Sequence, residues 1–402
     1  MTDKKLTFEE LKNMMRFGGP SILSASLKLH PGSGQGGKFF PATYKDGEYA
    51  TYNQRIDGKD VPCVLVDSCP SQANRMEEVL DYLHDSGEIE FPRIVVQIPE
   101  TLATGETQLT TTQLPHRIGD AILRDSECDG VSFRDHEIGK DFERAVPKKA
   151  ASLLKWSPTS ILFGVWDSTR LSGMGSAYAR CVVSEITGIH AVLNKKVSSR
   201  KDPLEMSKSI AVYEKETDDG TLDWTTEESE ARLVKDKPVK FGKDTTGGKP
   251  AAINHGSIPP IISDGGFTAD YLQLDSYVTL SGIRKLGFGS FEKNAAGGAY
   301  LAALGLVAII GQYTSGYELR SRCGLVTEDS AIFTAKQNGK KGVPFEITLD
   351  EALALYKEAL DNCREVGLEI AATEETPVFK SSAKLNTLLR KSMITQGFKT
   401  NG

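Results

Sequence analysis

Two long stretches of the sequence alternate between apolar and polar residues, and this alternation restricts the structure that they can form. Residues 22–29, ILSASLKL, place leucines and an alanine at every second position. Residues 271–283, YLQLDSYVTLSGI, show the same period of two over most of their length. Because successive side chains of a strand point to opposite faces, both stretches are predicted to be half-buried strands with one polar face.

A central stretch, 156–188, combines apolar runs with a polar, aromatic centre. Residues 161–165 suit a short buried strand, residues 166–170 (WDSTR) bring aromatic, acidic, hydroxyl and basic groups together, and residues 178–186 return to a helix-compatible pattern. Such a mixture is typical of a surface that holds a polar ligand. The alternative is that the tryptophan is an ordinary core aromatic and that the aspartate and arginine form a surface ion pair.

Composition narrows the class of protein. The chain has 402 residues, of which 39% are hydrophobic and 25% charged, enough for one large globular domain or two closely joined ones. The apolar run 301–311 is shorter than the roughly 18 residues of a membrane span, and the N-terminal residues do not resemble a signal peptide. We therefore expect a soluble, cytoplasmic protein without a membrane partner.

The net charge and the cysteines argue against two further classes of protein: those that coat nucleic acid non-specifically and those held together by zinc or disulfides. The net charge of −6 argues against non-specific coating of nucleic acid, although it allows a local basic groove. The six cysteines form no C-x-x-C pair, so neither a zinc ribbon nor a disulfide framework is indicated. We expect reduced thiols and no bound metal or cofactor.

The glycine-rich segment 31–41, PGSGQGGKFFP, matches G-x-G-x-x-G and part of a P-loop. A P-loop requires Ser or Thr after its lysine, where this chain has Phe39, and both motifs require a helix that Pro41 prevents. A nucleotide pocket, and with it a small-molecule enzyme, is therefore rejected. Lys38 beside two aromatic residues remains either a contact for phosphate and base or part of a plain surface loop.

Several predicted elements present basic and polar groups. A helix capped by Ser71 projects three such side chains from its first turn, where anions are favoured, and a predicted helix over 115–124 carries two arginines on one side. Residues 93–114 are predicted to form a projecting hairpin. Residues 195–201 form the densest basic patch, although such runs are usually only solvated. We also predict a charged surface insertion, 200–252, and a basic C-terminal tail, 380–402, that is a candidate disordered segment.

No local motif defines a catalytic site. The sequence lacks G-x-S-x-G, H-E-x-x-H and clustered His or Cys residues, and no carboxylate pair stands out as general acid and base. Alternating strands with a polar face, glycine loops and dispersed basic groups instead suit single-stranded nucleic acid, which is bound through phosphate contacts and stacking.

Seven segments resemble the backbone subunit of the Cascade-like CRISPR surveillance complex of type I-U, now called I-G, in the RAMP superfamily. They are GGKFFPATY (36–44), VDSCPSQANRMEE (66–78), PHRIGDAILRDSECDG (115–130), SPTSILFGVWDSTR (157–170), ARCVVSEITGI (179–189), INHGSI (253–258) and GYELRSRC (316–323).

The resemblance implies an α+β fold over 1–402: an RRM-like (ferredoxin-like) palm with an antiparallel sheet and large inserted finger and thumb elements. It also implies a CRISPR guide RNA as ligand, with further copies of the chain, the large subunit, the guide-end-binding RAMP subunit and, through the guide, target DNA as partners. The hairpin 93–114 is the candidate thumb. The expected RNA-binding residues are Lys38, Gln72, Asn74, Arg75, His116, Arg117, Arg124, Trp166, Arg170, Arg180, Ser199, Arg200, Arg284, Arg320 and Arg322.

The same resemblance implies a non-catalytic subunit, with no catalytic, metal-binding or cofactor-binding residues. The alternative is a metal-dependent ribonuclease, because related backbone subunits of type III complexes cleave RNA with an acidic loop residue. Asp120, Asp167 and Asp264 are the candidates for that role.

Overall fold

The computed structural model of the protein describes residues 5–103, 105–167, 169, 176–217, 222–242 and 247–395. The helices are α1 (Phe8–Met14), α2 (Cys69–Asp85), α3 (Ala121–Arg124), α4 (Glu137–Arg144), α5 (Ala151–Trp156), α6 (Pro158–Leu162), α7 (Leu280–Ile283), α8 (Phe291–Ser315), α9 (Leu349–Glu365) and α10 (Ala383–Thr395). The strands are β1 (Ile22–Pro31), β2 (Thr51–Ile56), β3 (Lys59–Asp67), β4 (Val95–Gln97), β5 (Gln108–Thr110), β6 (Ser126–Cys128), β7 (Val131–Ser132), β8 (Val165–Asp167), β9 (Ser176–Tyr178), β10 (Val182–Ile189), β11 (Val192–Arg200), β12 (Tyr213–Glu216), β13 (Leu222–Thr225), β14 (Leu233–Val234), β15 (Lys237–Pro238), β16 (Ile258–Thr268), β17 (Tyr271–Thr279), β18 (Tyr317–Glu318), β19 (Gly324–Val326), β20 (Ile332–Lys336), β21 (Val343–Glu346) and β22 (Val378–Ser381).

The chain divides into two compact units. Unit 1 comprises Met1–Pro99, Ala103–Val192 and Phe267–Leu385, and unit 2 comprises Glu100–Leu102, Leu193–Gly266 and Asn386–Gly402. The charged insertion predicted over 200–252 lies within the long segment of unit 2. In that unit β11 pairs with β16, β12 with β13, and β14 with β15.

An antiparallel sheet forms the centre of unit 1. Its middle strand, β1, pairs with β17 on one side and with β20 and β19 on the other, and β17 pairs in turn with β10. Strand β3 follows β10, and β2 completes that edge. The fold is thus α+β with an antiparallel sheet, as expected.

The predicted alternation is confirmed in β1. Leu23, Leu27 and Leu29 are buried, whereas Ser26 and Lys28 lie on the exposed face. Strand β17 alternates in the same way, with its inward side chains buried at Leu272, Leu274, Ser276 and Val278. The stretch 271–283 is a strand only as far as Thr279, after which α7 begins.

The buried face of the sheet packs against α8, which in turn packs against α2 and α9. By length and composition α8 could cross a membrane, but 89% of its most apolar window is buried inside the protein, as in a core helix. Close packing requires Gly305, because a Cβ there would lie 2.9 Å from Val182 and 3.2 Å from Val278 on the sheet. The apolar run predicted as a helix near 299–311 is therefore the centre of the main core.

Two local predictions around the central stretch are wrong. Residues 158–162 form α6 rather than the first part of a buried strand, because Pro158 occupies the first helical turn and a short apolar run fits either structure. Residues 182–189 form β10 rather than a helix, since their β-branched residues pair with β17 along their whole length.

The helix predicted over 115–124 is also wrong in extent. Arg117 adopts a left-handed φ of 52°, which interrupts any continuous α-helix. A single 3-10 turn spans Arg117–Gly119, and α3 begins only after Asp120, whose side chain accepts a hydrogen bond from the Ile122 N–H.

The predicted hairpin 93–114 contains the expected antiparallel pair, β4 with β5. However, β4 also pairs in parallel with β22, so its base belongs to a five-stranded sheet, with Ile94 and Val96 in the core. The tail predicted from Lys380 is ordered at its start, because it forms the end of β22 and then α10. The thumb role of the hairpin stays a prediction.

A buried ion pair fixes the segment between β5 and α3. The Arg117 guanidinium donates to both carboxylate oxygens of Glu77 on α2 at 2.6 Å, and its third nitrogen donates to the Gly164 carbonyl at 3.0 Å. Both side chains are almost fully buried. Arg117 therefore has a structural role, which corrects its expected placement on an exposed helix face.

We predict that Arg117→Ala lowers the free energy of unfolding by about 3–5 kcal/mol, because it leaves the Glu77 carboxylate buried without a partner. Chemical denaturation followed by circular dichroism measures the change. Arg124→Ala is the control, since the half-exposed pair of Arg124 with Asp125 contributes about 1 kcal/mol or less. Equal losses for the two variants would contradict the structural role of Arg117.

Candidate nucleic-acid-binding cleft

A surface cleft of about 530 Å³ unites residues that are far apart in the sequence. It lies within unit 1, between the first turns of α2, residues 115–117, the segment from Phe163 to β8, and residues 178–180. Five of the predicted RNA-binding residues line it: Asn74, His116, Arg117, Trp166 and Arg180. Tyr178 also lines it, although the sequence indicated only that this residue lies near a polar, aromatic stretch.

Trp166 is the most exposed aromatic group in the cleft. It is the middle residue of β8, where Val165 and Asp167 point inward and are 5% exposed, so strand alternation turns the indole outward. Its exposed fraction is 63%, which excludes the alternative that Trp166 is a core aromatic. An aromatic face in an open cleft can stack on a nucleobase or another flat ligand.

The wall of the cleft depends on a close approach of two chain segments. Gly164 has a φ of +87°, and a Cβ there would lie 3.1 Å from the Tyr178 carbonyl and 3.2 Å from the Arg180 N–H. Glycine tolerates both this conformation and this contact. The approach brings Arg180 to the same wall as Trp166.

The charged side chains around the cleft differ in whether they are free to bind an anion. The Arg117 guanidinium is paired with the Glu77 carboxylate. Burial raises the pKa of Glu77 to about 7, although the guanidinium acts to lower it. Cys69 lies nearby; burial and the Glu185 carboxylate raise the pKa of its thiol, whereas Arg180 lowers it. Arg180 is half-buried and His116 exposed, so these two side chains are the basic groups best placed to meet an anion.

A buried polar network removes three expected contacts from the RNA-binding surface. The Asp67 carboxylate, which is fully buried, accepts hydrogen bonds from Gln72, Arg75 and Arg320 at 2.6–3.0 Å. Arg75 also donates to the Leu319 carbonyl, and Arg320 to the Val66 carbonyl. Gln72 is completely buried, so its assignment as an RNA contact is corrected, and the two arginines primarily hold the fold together.

Other predicted contacts also have structural partners. Arg284 donates to the main-chain carbonyls of Met14 and Pro20 at 2.8 and 2.7 Å, Arg124 pairs with Asp125, and, within unit 2, Arg200 donates to the carbonyls of His255 and Gly256. A guanidinium that satisfies buried carbonyls has fewer donors left for phosphate.

The remaining predicted contacts lie outside the cleft. Arg322 is exposed, and its guanidinium stacks on the Phe40 ring at 4.0 Å from the centroid, near Lys38 in the chain. Residues 321–322 form a turn after β18 rather than part of a strand. Ser199 is exposed on β11 of unit 2, and Arg170 lies outside the described residues.

The three candidate aspartates of the ribonuclease alternative have separate partners. Asp167 accepts hydrogen bonds from Arg134 and Thr169, Asp120 caps α3, and Asp264, in unit 2, pairs with Lys195. Within the part of the chain that the structure describes, no three His, Cys, Asp or Glu side chains are grouped so as to hold a metal ion.

Comparison with known proteins gives a sequence match to one family and several remote structural likenesses. Residues 23–192 match the family model of CRISPR-associated protein GSU0053. No curated protein matches significantly. A solved chain titled CRISPR RNA-guided surveillance complex, pre-nicking, has 12% identity and a TM-score of 0.30, covering 94% of this chain and 99% of its own. The crystal structure of Thermofilum pendens Csc2 has 10% identity and a TM-score of 0.26, covering 96% and 80%.

Both TM-scores are low, so the assignment depends on the sequence match. That match spans the glycine-rich segment, α2 and the residues of the cleft described above. Residues 23–192 are thus similar to the CRISPR-associated GSU0053 family, and this match confirms the resemblance to a CRISPR protein family.

Proposed function

We propose that the protein is a non-catalytic subunit that binds CRISPR guide RNA through the cleft around Trp166. The observation that carries this proposal is the exposed indole beside Arg180, His116 and Asn74 in one open cleft. Stacking holds a single-stranded base regardless of its identity, and cations hold the phosphates. A guide-binding subunit needs this sequence-tolerant binding, because spacer sequences differ.

The palm of this subunit is proposed to be RRM-like. The elements β1, α2, β10, β17, α8 and β20 follow one another in the chain as β-α-β-β-α-β. Their strands lie in the order β20, β1, β17, β10, with antiparallel neighbours, which is the order of a ferredoxin-like sheet. Strands β2 and β3 extend one edge, and the long segment of unit 2, Leu193–Gly266, is inserted in the chain between β10 and β17.

In the cell, this subunit would assemble as the backbone of a type I-U (I-G) Cascade-like complex in the cytoplasm. Copies would line the guide spacer beside the large subunit and the guide-end-binding RAMP subunit, and the guide would pair with target DNA. The match of residues 23–192 to a CRISPR-associated family supports this role, and the net charge of −6 fits copies that associate only when a shared polyanion bridges them.

The first test concerns the cleft. We predict that Trp166→Ala weakens binding of a short oligouridylate by about 1–3 kcal/mol, because one base loses its stacking partner. Arg180→Gln should reduce the slope of log affinity against log salt by about 0.7, the value for one phosphate contact on a single strand. Fluorescence anisotropy at several salt concentrations measures both effects.

Tyr82→Ala is the matched control for Trp166→Ala, since Tyr82 is an aromatic residue of α2 that is 72% exposed and does not line the cleft. All three variants should keep the wild-type melting temperature. Unchanged affinity of the Trp166 and Arg180 variants, with the fold intact, would reject the cleft as the RNA-binding site.

The second test concerns assembly. We predict that free protein at moderate salt is largely monomeric and that guide RNA converts it to a complex whose mass grows in steps with spacer length. Light scattering with guides of several lengths measures this growth. Neither guide nor target should be cleaved when Mg²⁺ or Mn²⁺ is added; metal-dependent cleavage that EDTA abolishes would favour the ribonuclease alternative.

The third test concerns the proposed thumb. If residues 93–114 interrupt the guide at regular intervals, a shorter connection between β4 and β5 should leave RNA affinity intact but remove the periodic pattern of nuclease protection. Replacing only residues between the two strands preserves the pairing of β4 with β22. A periodic pattern that survives this change would assign the thumb to another element.

A further inference from the structure

A second surface of unit 1 surrounds Phe17, which follows α1. The Phe17 side chain is fully exposed, with an exposed fraction of 104%. Arg16 beside it is also exposed and has no ion-pair partner among the described residues. A single exposed aromatic is common on protein surfaces, so its significance depends on how the chain holds it.

The turn that carries Phe17 is held by several hydrogen bonds. Arg284 donates to the carbonyls of Met14 and Pro20, on either side of Phe17, and Gln337 donates to the Gly18 carbonyl. The turn is also compact, because a Cβ at Gly19 would lie 2.5 Å from the Met14 carbonyl oxygen. The ring is therefore presented on a preorganised support, which reduces the entropy lost when it binds.

The surroundings of this turn are apolar and basic. A shallow depression beside it is lined by Leu6, Met14, Pro20, Val343 and Phe345, and exposed Lys340 and Lys341 stand at its edge. Together with Arg16, these lysines make the surface positively charged. We call Arg16, Phe17, Lys340 and Lys341 the basic knob.

Another part of unit 1 has the complementary properties. A cleft of about 480 Å³ is lined by Ile310, Tyr313, Ala331, Ile347 and Leu349, with the carboxylates of Glu346 and Asp350 at its rim. Among the described residues, the Asp350 carboxylate has no ion-pair partner. This cleft, the acidic socket, is large enough for a phenyl ring.

We propose that the basic knob of one copy docks into the acidic socket of a second copy, with Phe17 inserted among the apolar residues and Arg16 facing Asp350. In the proposed contact each copy gives its knob to one neighbour and receives the knob of another in its socket, so the contact is heterologous, and a heterologous contact that does not close into a ring repeats as a filament. The inference rests on the proposed assembly along guide RNA and identifies the protein surfaces that would make it cooperative.

The test separates contacts between copies from binding of RNA. Phe17→Ala should leave the affinity for a short oligouridylate unchanged, because the knob does not line the RNA-binding cleft. On a full-length guide, the same substitution should raise the apparent dissociation constant between neighbouring copies about ten- to a hundredfold, as expected for loss of one buried aromatic side chain. Tyr82→Ala again serves as the exposed-aromatic control and should change neither quantity.

A charge exchange identifies the socket. Arg16→Glu and Asp350→Arg should each weaken cooperative assembly, and the double variant should recover most of the loss, since the two charges are then opposite again. Thermal unfolding of every variant verifies that the fold is intact.

Three outcomes would overturn the inference: unchanged assembly of Phe17→Ala, additive losses in the charge exchange, or weaker short-RNA binding by Phe17→Ala, which would mean that the ring stacks on RNA. If wild-type protein fails to bind RNA, the proposed function fails by itself. The knob and socket are then tested without RNA by sedimentation at high protein concentration and low salt, where wild type should associate more strongly than Phe17→Ala.

Discussion

The buried carboxylate of Asp67 is the interaction on which the centre of unit 1 depends. Asp67 ends β3, just before α2 begins, and it accepts hydrogen bonds from Ser71, Gln72, Arg75 and Arg320. A carboxylate removed from water is strongly destabilising unless charged donors surround it. Two guanidinium groups and two neutral donors meet that requirement, and they join the strand, the helix and the turn after β18.

This network also determines the position of the cleft. Gln72 uses its carbonyl oxygen to accept from Ser184 on β10 and Gln312 on α8, so the first turns of α2 are fixed to both the sheet and the core helix. Asn74 lies on the opposite side of the same turns and lines the cleft. Five residues after Gln72 on α2, Glu77 holds Arg117 and thereby the opposite wall. A single helix thus orients the cleft through two buried polar contacts.

The sequence predicts those elements of the fold in which buried residues recur at a regular spacing along the chain. Strands β1 and β17 are recognisable because their alternation directly reflects one buried and one exposed face. The sequence places the tryptophan of β8 in a short polar, aromatic stretch between apolar runs, but it leaves open whether the ring is buried in the core. Only the structure shows that the indole is exposed.

The roles of the arginines cannot be predicted locally, because their partners are distant in the sequence. Arg320 is 253 residues from Asp67, and Arg284 is 270 residues from Met14, whose carbonyl it satisfies. A guanidinium that holds a fold together and one that awaits a phosphate look alike in sequence. Only the tertiary structure tells which donors are already used. Of the two arginines that line the cleft, Arg117 is paired with Glu77, which leaves Arg180 beside the exposed indole.

The exposed face of the sheet adds an electrostatic argument for the path of RNA. In RRM domains this face binds bases through aromatic side chains. Here Asp275 and Glu185 stand directly opposite each other on β17 and β10, at the middle of the polar face. Asp275 is hydrogen-bonded by Ser26 and Glu185 by the Cys69 thiol, which keeps both carboxylates on that face. A phosphate chain crossing these strands would meet two adjacent negative charges, whereas the cleft presents Arg180, His116 and the Trp166 ring. For the proposed guide-binding role, the charge pattern therefore favours a path through the cleft over one across the centre of the sheet.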